Sequence, residues 1–525
     1  MILNKASVLI QSIQNPALFP HKIKYFKIIE THISWVLLTG IYAYKIKKPL
    51  NLGFLDFSSL EKRRYFCHEE IRLNSRLAPD IYLDVVAIRG TEDKPNLGHE
   101  GSAIEYAVKM RQFEPDQTFD QLLVRAQLTS EHIQQTAKAI AAFHSSIKHV
   151  ALNTEFGNAS TVMQPVRENF SQILQLHGLE NSDNLKHLSW WSEQQYTVLL
   201  SLLNQRKQAG LIRECHGDLH LGNIALIDNT VVPFDGIEFN PSLYWIDVIC
   251  DIAFLVMDLQ SKQRNDLAFQ FLNNYLQYSG DYAGLRLLRF YLVYRAVVMA
   301  KVNAIRATQR SSTNEHQLDI DKYHNYLQLA NGYIQPSTPI MIIMHGVSGS
   351  GKSWLSEQII NHYQAIRIRS DVERKRLQKL SAQQNSHSGI NSDLYSQTSN
   401  DKTYQHLLHL SVEIISAGYP VIVDATFLQQ QQRKLFLQQA KQLQVPFLIV
   451  HTKADKHLLI QRIEGRSKQQ DNISEANQTV LENQLQNMQL LCHDERKVSI
   501  TIDTDKSADL SRLWALLDIS VTQCC

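Results

Sequence analysis

The chain has 525 residues, too many for one ordinary hydrophobic core, so two or three domains are expected. A composition of 44% hydrophobic and 20% charged residues is that of a globular protein and excludes a disordered scaffold. With 53 basic against 51 acidic residues the net charge is +2, which argues against a nucleic-acid partner and against docking on an acidic membrane surface.

The first twenty residues lack the long apolar core and cleavage site of a signal peptide. Their mixed apolar pattern (Val8, Leu9, Ile10, Ile13, Leu18) predicts an amphipathic helix packed on the body. Residues 32–38 and 41–47 alternate apolar and polar around Thr39-Gly40, which reads as strand, turn and strand. A helix is predicted over residues 59–77, ended by Ala78-Pro79. Residues 81–88 and 103–110 read as strands. From Thr118 the apolar residues fall mostly three and four apart (Phe119, Leu122, Ile133, Ala137, Ile140, Ala141), which is helical spacing. A small β-rich lobe is thus followed by a helical lobe, with further helices over residues 290–307 and 323–329.

Residues 331–339, with Gly332, Pro336 and Pro339, form the linker expected between domains 1–334 and 338–525. After it, residues 340–344 read as a buried parallel strand, and strands at 365–369, 421–423, 447–451 and 498–502 alternate with helices, the pattern of a parallel sheet. Residues 381–400, rich in Ser, Gln and Asn, are expected to form a loop. The six cysteines (Cys67, Cys215, Cys250, Cys492, Cys524, Cys525) make no CxxC pair. This excludes a disulfide framework or a zinc site of ordinary spacing and points to a reducing compartment. No uncharged apolar run reaches the roughly 18 residues that span a bilayer, so a cytoplasmic protein with no membrane partner is expected.

Gly346-Val347-Ser348-Gly349-Ser350-Gly351-Lys352-Ser353 fits GxxxxGK[ST] and lies between an apolar strand and a helix. Gly346, Gly349 and Gly351 let backbone N–H groups turn inward around phosphate, and the helix N-terminus adds positive potential. Lys352 can bridge the β- and γ-phosphates of ATP, and Ser353 can ligate Mg2+. Asp424, ending its strand, can hold the same cation; the alternative is a helix cap. Asp371 can accept the proton of a substrate hydroxyl, again against a helix-cap alternative. Arg462 and Arg466, one helical turn apart, can close over the transferring phosphate or form a solvated basic face, and Arg433 is similar. With Ser370, Arg374 and Val423-Asp424-Ala425-Thr426, these residues resemble the small P-loop kinases of the gluconate kinase, polynucleotide kinase and zeta-toxin-like group, over roughly residues 338–525. The resemblance implies that Asp371 activates the acceptor and that Arg462 and Arg466 clamp phosphates. It does not carry over an acceptor.

A second signal is His216-Gly217-Asp218-Leu219-His220-Leu221-Gly222-Asn223, followed by Phe234-Asp235-Gly236. An Asp and an Asn five positions apart, then an Asp after a strand, is the kinase catalytic arrangement. Asp218 would take the hydroxyl proton, and Asn223 and Asp235 would hold Mg2+. Lys45 on an early strand should pair with a helix glutamate, Glu70 in preference to Glu69. The glycine-rich nucleotide loop is missing, with only Gly40 in that region; Gly217 stands where Arg is usual, and no Ala-Pro-Glu follows. These departures point to a small-molecule acceptor.

Residues 216–223, Phe234-Asp235, Ala142-Phe143-His144, and Asp247 and Asp251 before an apolar helix resemble the aminoglycoside phosphotransferase family over residues 25–330. The whole chain resembles bacterial bifunctional aminoglycoside phosphotransferase/ATP-binding proteins. The resemblance implies a bilobal kinase-like α+β domain, then an α/β P-loop NTPase domain. The main reading is an ATP- and Mg2+-dependent enzyme with two sites acting on hydroxyls of small molecules. The other is a ligand-sensing kinase-like module controlling a zeta-toxin-like or polynucleotide kinase, or an ATPase.

Overall fold

The computed structural model describes residues 8–53, 55–98, 100–176, 183–310, 312–378, 397–467, 477–505 and 509–522, the side chains of 397–398, 466–467 and 519–522 excepted. The chain divides into two compact units, residues 1–261 with 290–331 and residues 262–289 with 332–525.

In the first unit, strands β1 (Lys27–Glu30), β2 (Ser34–Leu38), β3 (Tyr42–Lys47), β4 (Tyr82–Thr91), β5 (Lys94–Asn96) and β6 (Ala103–Arg111) form one antiparallel sheet in the order β1-β2-β3-β6-β4-β5. Helix α1 (Leu60–Asn74) lies between β3 and β4 in the chain, and Ser59 caps it by accepting from the Lys62 N–H. Strand β1 has no alternating signature because it is an edge strand whose residues are mostly exposed. The N-terminal helical turns behave as expected: Leu9, Ile10 and Ile13 are buried against Trp35, Tyr44 and Ile46. The buried face of α1 is unusual in carrying Arg63, Glu70 and Asn74 beside Cys67 and Leu73.

The helical lobe contains α2 (Ser130–Ser146), which opens with a capping box between Thr129 and His132. Helix α3 (Val248–Ser261) is buried along nearly its whole length. Short strands β7 (Ile212–Glu214) and β10 (Trp245–Asp247) pair with each other, as do β8 (Ile224–Ile227) and β9 (Thr230–Pro233). Residues 215–223 loop from β7 into β8, and Asp235 follows β9 directly. Asp251 lies within the first turn of α3, not before the helix. This strand order, with a helix after β3 and a helical second lobe, is the bilobal kinase-like fold.

The second unit is built on a parallel sheet of order β12-β13-β11-β14-β15, from β11 (Met341–His345), β12 (Ile366–Arg369), β13 (Val421–Asp424), β14 (Phe447–Lys453) and β15 (Ser499–Asp503). All five residues of β11 are buried, as a central parallel strand requires. Helix α4 (Asn265–Ser279) belongs to this unit. Its Asn273 amide donates to the Ala365 carbonyl (2.9 Å) and accepts from the Arg367 N–H (2.6 Å), so a side chain satisfies the free edge of β12. Helices α5 (Lys352–Tyr363), α6 (Ser370–Leu377), α7 (Gln397–Ser416), α8 (Gln430–Gln442), α9 (Lys456–Ser467) and α10 (Gln478–Asn487) accompany the sheet.

Two expectations need correction. Asn331 and Gly332 do not begin the linker but belong to a helix running to Tyr333, where an added Cβ on Gly332 would meet open space. Residues 397–400 of the expected loop open α7 instead, and the rest of that segment lies outside the described residues. Among the described residues, no helix is long and apolar enough to cross a membrane.

Candidate active sites

In the first unit the strand period of two puts Lys45 and Lys47 of β3 on one face. Lys45 Nζ is 2.8 Å from Glu70 Oε1 and 2.5 Å from Asp235 Oδ1. Glu70, not Glu69, is therefore the partner; Glu69 pairs with Arg72. Lys47 Nζ is 2.6 Å from Glu70 Oε2 and also bonds Glu238. Burial opposes the charge on Glu70, yet the two ammonium groups hold its carboxyl well below the usual range. Lys47 and Glu238 were not foreseen. The signal was there: two lysines two apart on an apolar strand need two carboxylates if both are buried.

Asp218 sits at the head of the β7–β8 loop with Asn223 Nδ2 donating to its Oδ2 (3.0 Å) and to its carbonyl (3.0 Å). That leaves the amide oxygen of Asn223 as its acceptor end. His220 Nε2 lies 3.4 Å from Asp218 Oδ2. Burial would raise the Asp218 pKa, but the His220 charge and hydrogen bond bring it down to about 2. The loop is set from below by Asp251, which accepts from the N–H groups of His216 (3.2 Å) and Gly217 (2.8 Å) and pairs with His144 (3.0 Å). Asp258 likewise accepts from the Leu221 N–H (2.9 Å). Gly217 has a physical reason to replace the usual Arg: its φ is +83°, and a Cβ would lie 2.7 Å from the Leu243 carbonyl oxygen.

The turn between β1 and β2, residues 31–33, precedes the lysine-bearing hairpin, whereas Gly40 turns β2 into β3. Gln112, directly after β6, holds that second turn by accepting from the N–H groups of Thr39 (3.1 Å) and Gly40 (2.8 Å).

In the second unit Gly346, Gly349 and Gly351 line the turn between β11 and α5. An added Cβ at Gly346 would lie 2.7 Å from Ser350 Oγ and the Thr452 carbonyl, and one at Gly349 would lie 2.8 Å from the Leu459 carbonyl. Gly351 is the N-cap of α5 at φ +90°. The Lys352 ammonium folds onto the loop's own Val347 carbonyl at 2.8 Å. Ser353 Oγ donates to Asp424 Oδ2 (2.9 Å) at the end of β13, and Arg369 Nε is 3.8 Å from the same oxygen. Asp424 is thus tied to the P-loop rather than to a following helix. Asp371 is the second residue of α6, whose N-cap is Arg369, and its carboxylate lies 3.7 Å from Arg374.

The arginines divide. Arg433 is fully buried, bonding Glu495 twice (2.8 and 3.1 Å) and the carbonyls of Phe427, Leu428 and Leu490, so it is a structural brace and not a solvated or phosphate-facing group. Arg462 donates to the Gly349 carbonyl (3.2 Å) and to Thr504 (2.9 and 2.7 Å), which fastens α9 to the P-loop. Arg466 lies on the same helix, and its side chain is outside the described residues.

The donor sets suit the ligands the sequence implies. The glycine turn is a cradle that side chains would fill. Asn223 with Asp235, and Ser353 with Asp424, offer hard oxygen donors of the kind Mg2+ takes.

A profile of the AAA domain family (AAA_33) matches residues 341–491. The chain is 30% identical over 411 residues to the uncharacterized protein Rv2004c of Mycobacterium tuberculosis, spanning 78% of this chain and 80% of that one. The same values hold for the uncharacterized protein Mb2027c of Mycobacterium bovis. Among solved structures, a choline/ethanolamine kinase family protein from Mesorhizobium loti is similar over 63% of this chain and 100% of its own, at 10% identity and TM-score 0.38. A gluconokinase from Sinorhizobium meliloti is similar over 36% of this chain and 94% of its own, at 17% identity and TM-score 0.24.

Proposed function

The chain belongs to the same family as the mycobacterial proteins to which it is 30% identical, and on that premise we propose that it is a phosphotransferase with two ATP sites acting on hydroxyls of small molecules. The observation that carries this reading is the convergence of Lys45, Glu70 and Asp235 within 2.8 Å of one ammonium nitrogen, across three separate elements. The neighbouring Lys47–Glu70–Glu238 cluster has the same three members but is sealed, with Glu238 only 4% exposed, whereas Asp235 is 44% exposed and so open to a cation and phosphates.

In the first unit Lys45, oriented by Glu70, binds and aligns the nucleotide phosphates. Asp235 and the Asn223 amide oxygen would hold the cation, while Asp218 orients the acceptor hydroxyl and takes its proton as the new O–P bond forms and the bond from the γ-phosphorus to the bridging oxygen breaks, releasing ADP. In the second unit the glycine turn and Lys352 bind the phosphates, and Ser353 with Asp424 would hold the cation. Asp371 takes the acceptor proton, and Arg462 keeps the loop in shape. Bound Mg2+ supplies charge neutralisation for the phosphates in each site.

A screen of sugar, amino-alcohol, aminoglycoside and nucleoside acceptors by coupled ADP release tests the proposal, with wild type, Asp218→Ala and Lys352→Ala in parallel. Each variant should lose at least about a hundredfold on the acceptor of its own unit and leave the other's turnover unchanged. Full turnover in Asp218→Ala would instead favour a sensing role for the first unit. Strong loss of acceptor binding with salt would point to a polynucleotide acceptor.

A further inference from the structure

Asp235 is held in an unusual backbone conformation by residues outside the machinery just described. Its φ is +59°, a left-handed value that residues with a Cβ adopt uncommonly. Such a residue stays there only where its surroundings over-determine it. Three contacts do so. Asn74, one turn beyond Glu70 on α1, makes a paired bond to the next residue, its Oδ1 accepting from the Gly236 N–H (2.6 Å) and its Nδ2 donating to the Gly236 carbonyl (3.1 Å). The Tyr82 hydroxyl on β4 accepts from the Asp235 N–H itself (2.9 Å). Glu238, three residues on, is tied to β3 through Lys47. A side chain could not be accommodated easily at Gly236, where a Cβ would come within 3.0 Å of the His216 carbonyl and 3.2 Å of Asn74 Oδ1. The segment carrying Asp235 is therefore pinned to α1, β4 and β3 at once, and α1 carries both the lysine's partner and the clamp.

We propose that Asn74 is a positioning residue for Asp235: its paired bonds to Gly236 fix the carboxylate in the pose that receives a divalent cation, so the first unit is set for cation–nucleotide binding without a separate ordering step. This rests on the reading of the first unit as a nucleotide site. Asn74 touches neither phosphate nor acceptor in that account. Tyr82 contributes through the Asp235 N–H, and the Lys47–Glu238 pair limits how far the segment can swing.

The test uses the full chain carrying Lys352→Ala, so that the remaining nucleotide binding reports the first unit. Binding of a fluorescent, non-hydrolysable ATP analogue is titrated with Mg2+. Asn74→Leu, matched in size, and Asn74→Ala are compared with the parent, and Tyr82→Phe serves as the least disruptive third variant. The Asn74 variants should raise the Mg2+ concentration for half-saturation about tenfold and Tyr82→Phe by less, with metal-free nucleotide affinity unchanged. In a chain that already carries Asp235→Asn, the Asn74 substitutions should cause no further loss, because Asn74 acts only through that carboxylate. A half-saturation within twofold of the parent in folded variants overturns the proposal, as does full additivity with Asp235→Asn. A parent with no Mg2+-dependent binding removes the nucleotide-site reading itself, and the proposal with it.

Discussion

At the scale of single residues, the groups proposed to act in the first unit are held by side chains from other elements: Asn74 and Tyr82 bond the segment that carries Asp235, and Asp251 bonds the loop that carries Asp218. Asp218, Asn223, Asp235 and Lys352 follow from spacing alone, because the chemistry fixes their order along the chain. Lys47, Glu238 and Asn74 do not, since they act across elements 23 to 191 residues apart. Gly217 is a case between. Its identity read as a missing arginine, while its backbone shows that only glycine fits. Gly217→Ala should destabilise the first unit by about 2 kcal/mol or more in denaturant unfolding, and abolish its turnover by displacing Asp218.

His345, at the end of β11, offers a test by pH. Burial first, then the charges of His451 and Arg433, hold its pKa down to about 4 from an ordinary 6.5. Its ring lies 4.7 Å from that of His451, and its Nδ1 lies 3.2 Å from the Phe427 carbonyl. The unfolded chain takes up a proton as pH falls through 6.5, and the folded chain does so only near 4. Stability present above the first value is thus lost progressively down to the second, by about 3 kcal/mol in all. Melting of the second unit should fall across this window, and His345→Gln, which keeps a donor for Phe427, should flatten the decline.

At the scale of elements, periodicity found what is half-buried and missed what is not. Strands β3, β4, β6 and β11 lie close to where alternation or an apolar run placed them. Strand β1 escaped because an exposed edge strand has no inner face to mark it. The first turn of α7 escaped because Gln397-Thr398-Ser399-Asn400 has loop composition, while the helix is secured further on by buried Leu407, Leu410 and Ile414. Helix α4 is the larger lesson: nothing in its pattern says that Asn273 completes the edge of β12. Asn273→Ala leaves the Ala365 carbonyl and the Arg367 N–H unpaired, at about 1–3 kcal/mol for each group. The expected result is faster amide hydrogen exchange at Arg367 and a lower melting temperature for the second unit; exchange like that of wild type would show that the side chain only fills space.

At the scale of the molecule, two compact units each carry an arrangement that we propose handles phosphate, of a different kind in each. One is built on an antiparallel sheet with a lysine on its third strand, the other on a parallel sheet with a glycine turn after its central strand. Their sequences interleave: residues 262–289 lie between stretches of the first unit yet pack with the second. A chain begun at residue 338 would lack Asn273, along with Tyr282, whose hydroxyl lies 3.4 Å from the buried Glu373 on α6, the helix of Asp371. That fragment should be less stable than the second unit in the full chain and lose Asp371-dependent turnover. The central claim is that both units bind nucleotide, and calorimetric titration of the full chain with a non-hydrolysable ATP analogue and Mg2+ tests it most directly. The account predicts two molecules bound per chain, one after either Lys45→Met or Lys352→Ala, and none after both; a single molecule per chain, abolished by one substitution and untouched by the other, would contradict it.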